Sequence, residues 1–470
     1  MSQQQHPSEQ KEASITHPMD DDRDEDYETE EEEEAFINEE DIDHVAGEYD
    51  ENDKPPSDDE EEDEWMDDDE EESKNRPLRN VPDYSTSSFN EHTDAIYSIS
   101  VVENGLNEFL CVTSSGDDSA YLWKFNTQTL TTTPIKRLSG HTDTVLQSKF
   151  NFDKSLIATG GMDGTVKIWN AQSGDLISSL EGPAESIEWI DWHPKGNIVI
   201  GGSADSTTWM WNTQKELCLN VFSGHSDSVT SGCFSADGKL IVTASEDATV
   251  KVWNPKTAEC VVTYSAHEKN IKSFCEEPIT VLKCNQNNTA IFLCGSLDGS
   301  VALCQLEQQR VLSYLRNKHA HTNSVEDVLF HPEQQHLLVS AGMDGQIVLW
   351  DTQSSTARQV LKNYPLQEHT ELTSTDSNVG GSSTTTVSTD LNFDTSAAPV
   401  GVTHIQFDAS RPYILYSGDI QGNIFSWDVR VGKVVKMYQG HADVISDFTQ
   451  SSDYIFSVSE DKRALIFNKQ

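Results

Sequence analysis

Gly140-His141-Thr142-Asp143-Thr144-Val145, followed by Leu156-Ile157-Ala158-Thr159-Gly160-Gly161-Met162-Asp163-Gly164-Thr165-Val166-Lys167-Ile168-Trp169, is the stretch from which the rest of the chain can be read. A Gly-His pair opens it. Two short runs rich in β-branched residues follow, joined at Asp163-Gly164, and Trp169 closes the unit. Such runs read as strands, and Asp-Gly between them reads as a hairpin turn. One such unit has open sheet edges and two apolar faces, so it is not stable alone. Copies of it have to pack face to face.

The copies are present. A turn residue stands six positions before a closing aromatic at Asp117/Trp123, Asp163/Trp169, Asp205/Trp211, Asp247/Trp253 and Asp344/Trp350. Degenerate copies are Asp298/Cys304, Gln421/Trp427 and Asp461/Phe467. About eight units at a period of roughly 40 to 50 residues match four-stranded propeller blades. The pattern resembles the WD-repeat family over about five-sixths of the chain. The expected fold is therefore all-β: an eight-bladed WD-repeat β-propeller over residues 79–470, behind an acidic tail over 1–78.

The resemblance implies a buried hydrogen-bonded chain of His, Ser/Thr, Asp and Trp within a blade. The matching sets are His92/Thr113/Asp117/Trp123, His141/Thr159/Asp163/Trp169, His225/Thr243/Asp247/Trp253 and His321/Ser340/Asp344/Trp350. A buried carboxylate is tolerated only when its partners are present. A hydrolase triad occurs once, around one strained nucleophile. Here the set recurs blade after blade, so it reads as structural, and no enzyme activity is expected.

The formal net charge is −48. Residues 20–72 are mostly Asp and Glu, with Arg23 and Lys54 the only basic residues. Residues 1–73 carry about −32, which leaves about −16 on the remainder. Both parts repel nucleic-acid phosphate and anionic lipid and attract basic protein surfaces. Direct nucleic-acid and membrane partners are not expected. No apolar run has the character of a signal peptide or a membrane span. The eight cysteines include no Cys-x-x-Cys pair, so reduced buried thiols are expected, with no metal and no cofactor. The expected compartment is the cytoplasm, with the nucleus second, and the Asn287-Asn288-Thr289 acceptor is not expected to meet glycosylation there.

Residues 1–75 hold too little apolar surface to offset ordering entropy and are expected to be disordered. Ala35-Phe36-Ile37 and Trp65-Met66 interrupt the acid, and Ser57 precedes Asp58-Asp59-Glu60 as an acid-directed phosphorylation site. The last repeat ends at Phe467, near the C-terminus, with strands for three-quarters of a blade. Residues 83–90 are expected to supply its outer strand and so close the ring. In blade three, Pro183 stands in the His slot and Gly201 in the hydroxyl slot. In blade five, His267 and Asp298 occupy their slots while Cys294 and Cys304 fill the others; blade seven has Gln421 for Asp. A Ser/Thr-rich insertion at about 362–399 is expected to be long and mobile, since blade connections are normally short.

A closer resemblance lies in blade three. Glu188-Trp189-Ile190-Asp191-Trp192-His193-Pro194 followed by Thr208-Trp209-Met210-Trp211, behind a long acidic tail, is similar to the angio-associated migratory cell protein family. The resemblance, in its fungal branch, implies a dedicated chaperone of one ribosomal protein. That client is protein ten of the large subunit, the universal large-subunit protein sixteen. Its basic N-terminal segment would be held on an acidic propeller face until it reaches the assembling large subunit. Ribosomes or pre-ribosomal particles are expected as further partners, and the propeller is expected to be a monomer. The Ser/Thr-rich insertion departs from the family pattern.

The residues point the same way. One rim of a propeller presents the residues beside the apolar residue that follows Gly-His, and the residue before the tetrad Asp. Those slots hold Glu188, Glu246, Glu326 and Glu460, with Asp94, Asp143, Asp227 and Asp443 nearby; Lys272 is the basic exception. Asp at these four positions also serves to cap a turn, whereas the Glu residues have no capping duty. An acidic rim around a channel is a docking surface for an Arg/Lys-rich peptide. Two other functions compete: a histone or chromatin-assembly chaperone, and a signalling or ubiquitin-ligase adaptor. No recruitment helix is visible outside the blades, and fold alone does not choose among these.

Overall fold

The computed structural model describes residues 78–268, 273–316, 320–365 and 393–470. The acidic tail, apart from Leu78, lies outside the described residues, as do Lys272 and residues 366–392 of the insertion. Among the described residues the chain forms eight four-stranded antiparallel sheets. Seven are continuous in sequence, each ordered strand by strand from inner to outer edge. The architecture is an eight-bladed WD-repeat β-propeller.

Burial follows from the face-to-face packing. Ile198–Ser203, a second strand, is buried at every position, as is Leu337–Gly342. A strand covered on both faces needs a near-continuous apolar run, and these have one. Outer strands such as Thr131–Ser139 are mostly exposed, with Leu138 the one buried residue of that strand. The apolar clusters straddle blade boundaries; one joins Ile168, Ile187, Trp192 and Trp211 from blades two and three.

The eighth sheet is built from both ends of the chain. Its fourth strand, β1 (Ser87–Phe89), pairs antiparallel with Ala464–Asn468. Phe89 is buried and stacks on Trp123 of blade one with ring centroids 4.7 Å apart. Ser88 C=O accepts a hydrogen bond from Thr132 Oγ1 at 2.7 Å. Upstream, Tyr84 N–H donates to Gln439 C=O at 3.0 Å, and Asp83 meets Arg463 at 3.2 Å. Residues 83–89 therefore clasp blades seven, eight and one. Burying a Phe side chain contributes about 1.5–3 kcal/mol, so Phe89 alone is a sizeable part of the closure.

Three blades satisfy their turns in different ways. In blade three, Trp189 lies in the wall and its Nε1 donates to Val229 C=O at 2.8 Å. A Cβ on Gly202 or Gly232 would collide with its indole, which explains why glycines stand there. Trp211, with Gly201 in place of a hydroxyl residue, donates instead to Glu181 C=O at 3.3 Å.

Blade five corrects the sequence reading. His267 is exposed and does not meet Asp298; its N–H donates to Ser265 Oγ. Fourteen residues separate Cys260–Tyr264 from Ile279–Cys284, so counting from the first His places the register wrongly. The residue four before Ile279 is Cys275, a free buried thiol that lies in one core cluster with the free thiols of Cys294 and Cys304. Asp298 pairs with Arg316 at 2.8 Å. A row of buried thiols thus replaces the His-hydroxyl-Trp chain. The Cys294 neighbour and burial push the Cys275 thiol up, and burial does the same at Cys304.

In blade seven the missing Asp reappears two residues earlier. Asp419 accepts from the N–H groups of Gln421 and Asn423 at 2.9 and 2.8 Å, and from Asn363 Nδ2 at 3.2 Å. Trp427 still donates to Ser417 Oγ at 2.8 Å.

Deleting residues 80–91 is expected to lower the melting temperature sharply and expose the edge of Ala464–Asn468 to aggregation. Phe89→Ala alone should cost about 3–5 kcal/mol in a denaturant titration. Unchanged melting of the deletion variant would contradict closure by this strand.

Candidate partner-binding face

The rim is held by the polar chain within the blades. In blade two, His141 Nδ1 lies 3.0 Å from Asp163, His141 Nε2 2.8 Å from Thr159 Oγ1, and Trp169 Nε1 2.9 Å from the same hydroxyl. Blade one repeats this with His92, Asp117, Thr113 and Trp123, at 2.9, 2.9 and 3.3 Å. Blade four uses His225, Asp247, Thr243 and Trp253 at 3.0, 2.8 and 2.8 Å. Blade six uses His321, Asp344, Ser340 and Trp350 at 3.0, 2.8 and 2.8 Å. A fifth set, not singled out in the sequence, is His441 with Asp461 at 3.0 Å and Ser457 at 2.9 Å. Gly440-His441 was its signal, and Phe467 in the Trp slot hid it.

The proton logic is one-directional. Trp N–H can only donate to the hydroxyl, the hydroxyl then donates to His Nε2, and Nδ1–H donates to the carboxylate. The histidines are thereby assigned as neutral Nδ1–H tautomers from the network. Thr113, Thr159, Thr243, Ser340 and Ser457 are all fully buried, so no substrate reaches these hydroxyls. The Asp also binds the N–H of the residue after His, from Thr93, Thr142, Ser226, Thr322 and Ala442 at 2.9–3.1 Å. It therefore ties the loop entering the blade to the turn between its second and third strands.

A second tie recurs in all eight blades. The N–H of the residue preceding the turn Asp slot donates to the carbonyl of the residue before the inner strand's first apolar residue. The donors are Gly116, Met162, Ala204, Glu246, Leu297, Met343, Ile420 and Glu460, at 2.8–3.2 Å. Two rim positions per blade are thereby set side by side. The entering-loop position holds Asp94, Asp143, Glu185, Asp227 and Glu277 in blades one to five, Asn323 and Val400 in six and seven, and Asp443 in eight. Six consecutive blades, eight and then one to five, thus present a carboxylate in one equivalent slot. Glu246 and Glu460 add charge on blades four and eight.

The caps leave charge outward. Asp143, Asp227 and Asp443 each accept the next residue's N–H through Oδ1, at 2.7–2.9 Å, and among the described residues Oδ2 has no hydrogen-bond partner. Asp94 is partly neutralised by Lys462 at 3.4 Å. Arg463 is engaged by Asp461 and Asp83. Glu185 and Glu277 escaped the sequence reading because Pro183 and Cys275 replace the Gly-His landmark two residues before them.

Glu188 and Glu326 reach the channel mouth by another device. Inner strands shift register at the same place, between Ile187 and Trp189 in blade three and between Val325 and Asp327 in blade six. A bulge turns its extra residue away from the ladder. The extra residues are Glu188 and Glu326, held by hydrogen bonds from Ser186 and Ser324. Deeper in the channel, Asp327 meets His404 at 2.9 Å and Lys283 at 3.5 Å. Burial opposes ionisation of Asp327, but Lys283 and His404 hold its carboxyl at about 2. This belt links blades five, six and seven.

An array of outward carboxylates suits a peptide bearing several Lys or Arg side chains. Among the described residues no group of three His, Cys, Asp or Glu is placed to hold a metal ion.

Comparisons place this geometry among known proteins. Residues 132–170, 174–212, 216–254 and 312–351 match the WD domain, G-beta repeat. Human angio-associated migratory cell protein is 26% identical over 401 residues, covering 82% of this chain and 80% of that protein. The solved Saccharomyces cerevisiae Sqt1 superposes with a TM-score of 0.64 at 20% identity, covering 83% of this chain and 99% of Sqt1. Chaetomium thermophilum Sqt1 bound to the N-terminus of the ribosomal protein L10 gives 0.65 at 20% identity, covering 82% of this chain and all of that one.

The tetrad carboxylates set the acid limit of stability. Burial pushes them up, but the hydrogen bond from the His, with further donors, holds Asp117 and Asp461 at about 2 and lowers Asp163, Asp247 and Asp344. A depressed native pKa stabilises above the unfolded value of about 4 and is lost as pH falls through the native one. Burial raises Asp419 and Asp447, which act in the opposite sense but are outnumbered. The thermal midpoint should therefore fall steeply between about pH 4 and pH 2. A midpoint constant through that window would contradict the tetrad account.

Proposed function

We propose, from the premise of a WD-repeat propeller similar to angio-associated migratory cell protein in sequence and to Sqt1 in fold, that this chain is a dedicated ribosomal-protein chaperone. It holds the basic N-terminal segment of a newly made large-subunit ribosomal protein on its acidic face and delivers it for subunit assembly. The client we assign is protein ten of the large subunit, the universal large-subunit protein sixteen. The observation that carries this reading is the arc of Asp94, Asp143, Glu185, Asp227, Glu277 and Asp443, displayed by one repeated loop geometry.

The chemistry fits the task. Nascent ribosomal segments rich in Lys and Arg attract nucleic acid and aggregate; a pre-ordered acidic surface shields them without burying them. Surface charges act over about 8 Å at physiological salt, so several distributed carboxylates can capture a mobile segment and still release it. Glu188 and Glu326, fixed by their serines, would add a carboxylate each from blades three and six. The tail adds about −32 and strengthens attraction to the same client. The chaperone would act as a monomer in the cytoplasm.

Charge reversal tests the face. Glu188→Lys or Glu460→Lys should weaken binding of a basic client segment about tenfold or more, with melting unchanged. Intact binding after both reversals would remove the rim from the account. Capture of the chain from extract should co-purify a large-subunit ribosomal protein and early large-subunit particles; core histones in their place would favour a chromatin-assembly role.

A further inference from the structure

The acidic arc is interrupted, and the interruption has a character of its own. Blades six and seven carry Asn323 and Val400 where the other blades carry carboxylates. In the adjoining slot, three consecutive blades present Leu297, Met343 and Ile420. Leu297 is 49% exposed and Ile420 36%, although both sit in tightly tied turns. Their backbones are held by the same hydrogen bond that holds Glu246 and Glu460 in blades four and eight. Local structure therefore places these side chains outward whatever their chemistry, and here the chemistry is apolar.

The three positions are contiguous. The turn of blade five at Gly299 lies against His321 and Asn323 of blade six. The turn of blade six at Gly345 lies against Pro399 and Val400 of blade seven, and Met343 leans its sulfur over Gly401. The turn of blade seven at Gly422 lies against His441 and Asp443 of blade eight. The apolar sector is thus flanked by Glu277 of blade five on one side and by Asp443 and Glu460 of blade eight on the other, with Glu326 of blade six inside it.

We propose that this sector is a specificity site for a bulky apolar or aromatic side chain carried between Lys/Arg residues of the same client segment. The inference rests on the chaperone reading and narrows it, from any polycation to an amphipathic basic peptide. Charge selects this occupant. A second copy of the chain would bring its own carboxylates against these, and an anionic membrane would be repelled by the same arc. A cationic segment is attracted on both flanks of the sector, and an apolar residue between those flanks meets Leu297, Met343 and Ile420. Covering half-exposed Leu and Ile side chains is sufficient for about tenfold in affinity. Unlike the ionic contribution, that gain survives added salt.

The test uses the full chain and two synthetic peptides of equal length and equal Lys/Arg content. One carries Ser at the central positions, the other Leu and Tyr. By fluorescence anisotropy, the apolar-bearing peptide should bind about tenfold more tightly, and the ratio should grow with salt. Leu297→Ser combined with Ile420→Ser should bring its affinity down to that of the Ser peptide, in a variant whose melting matches the parent. Equal affinities for the two peptides, or an undiminished preference in the double variant, would overturn the specificity site while leaving the acidic arc standing. Failure of both peptides to bind at low salt would overturn the chaperone reading together with it.

Discussion

A carboxylate tying two loops of one blade is the constraint on which this propeller rests. Each tetrad Asp accepts from a histidine and from the N–H that follows it, and so fastens the entering loop to the turn between the second and third strands. Buried charge of this kind is tolerated only with its partners in place. The reward is geometric. Once both loops are fixed, the residues beside them have set positions on one rim. Function can then vary at those positions without disturbing the core.

The exceptions show that the tie matters more than its chemistry. Blade three loses the histidine yet keeps the contact from Ala184 N–H to Asp205, at 2.8 Å. Blade seven moves its Asp to position 419 and recruits Asn363. Blade five keeps Asp298, gives it Arg316, and fills the interior with Cys275, Cys294 and Cys304. In all three the eightfold backbone hydrogen bond at the rim survives. Core composition and rim geometry are therefore separable.

That separation explains what could be read from the sequence. The His141 unit and its copies gave away the blade count and four polar sets, because their spacing is local and repeats. Glu188 and Glu326 were legible because an apolar landmark precedes each one. Glu185 and Glu277 were not, since Pro183 and Cys275 erase the landmark that locates them. His267 misled for the opposite reason: a Gly-His-like residue stood in a lengthened connection. The apolar character of Leu297, Met343 and Ile420 was plain as residue type. Its meaning was not, because side-by-side placement across three blades is set by the ring and not by any one repeat.

The central claim is that the acidic arc, and not the flank or the opposite end of the propeller, is where a basic nascent segment sits. A solved structure of the full chain with the N-terminal segment of large-subunit protein ten tests this most directly. The account predicts Lys and Arg side chains paired with Asp143, Glu185, Asp227 and Glu277 around the mouth guarded by Glu188 and Glu326. A segment found along the outer strands, or at the opposite end of the channel, would contradict it.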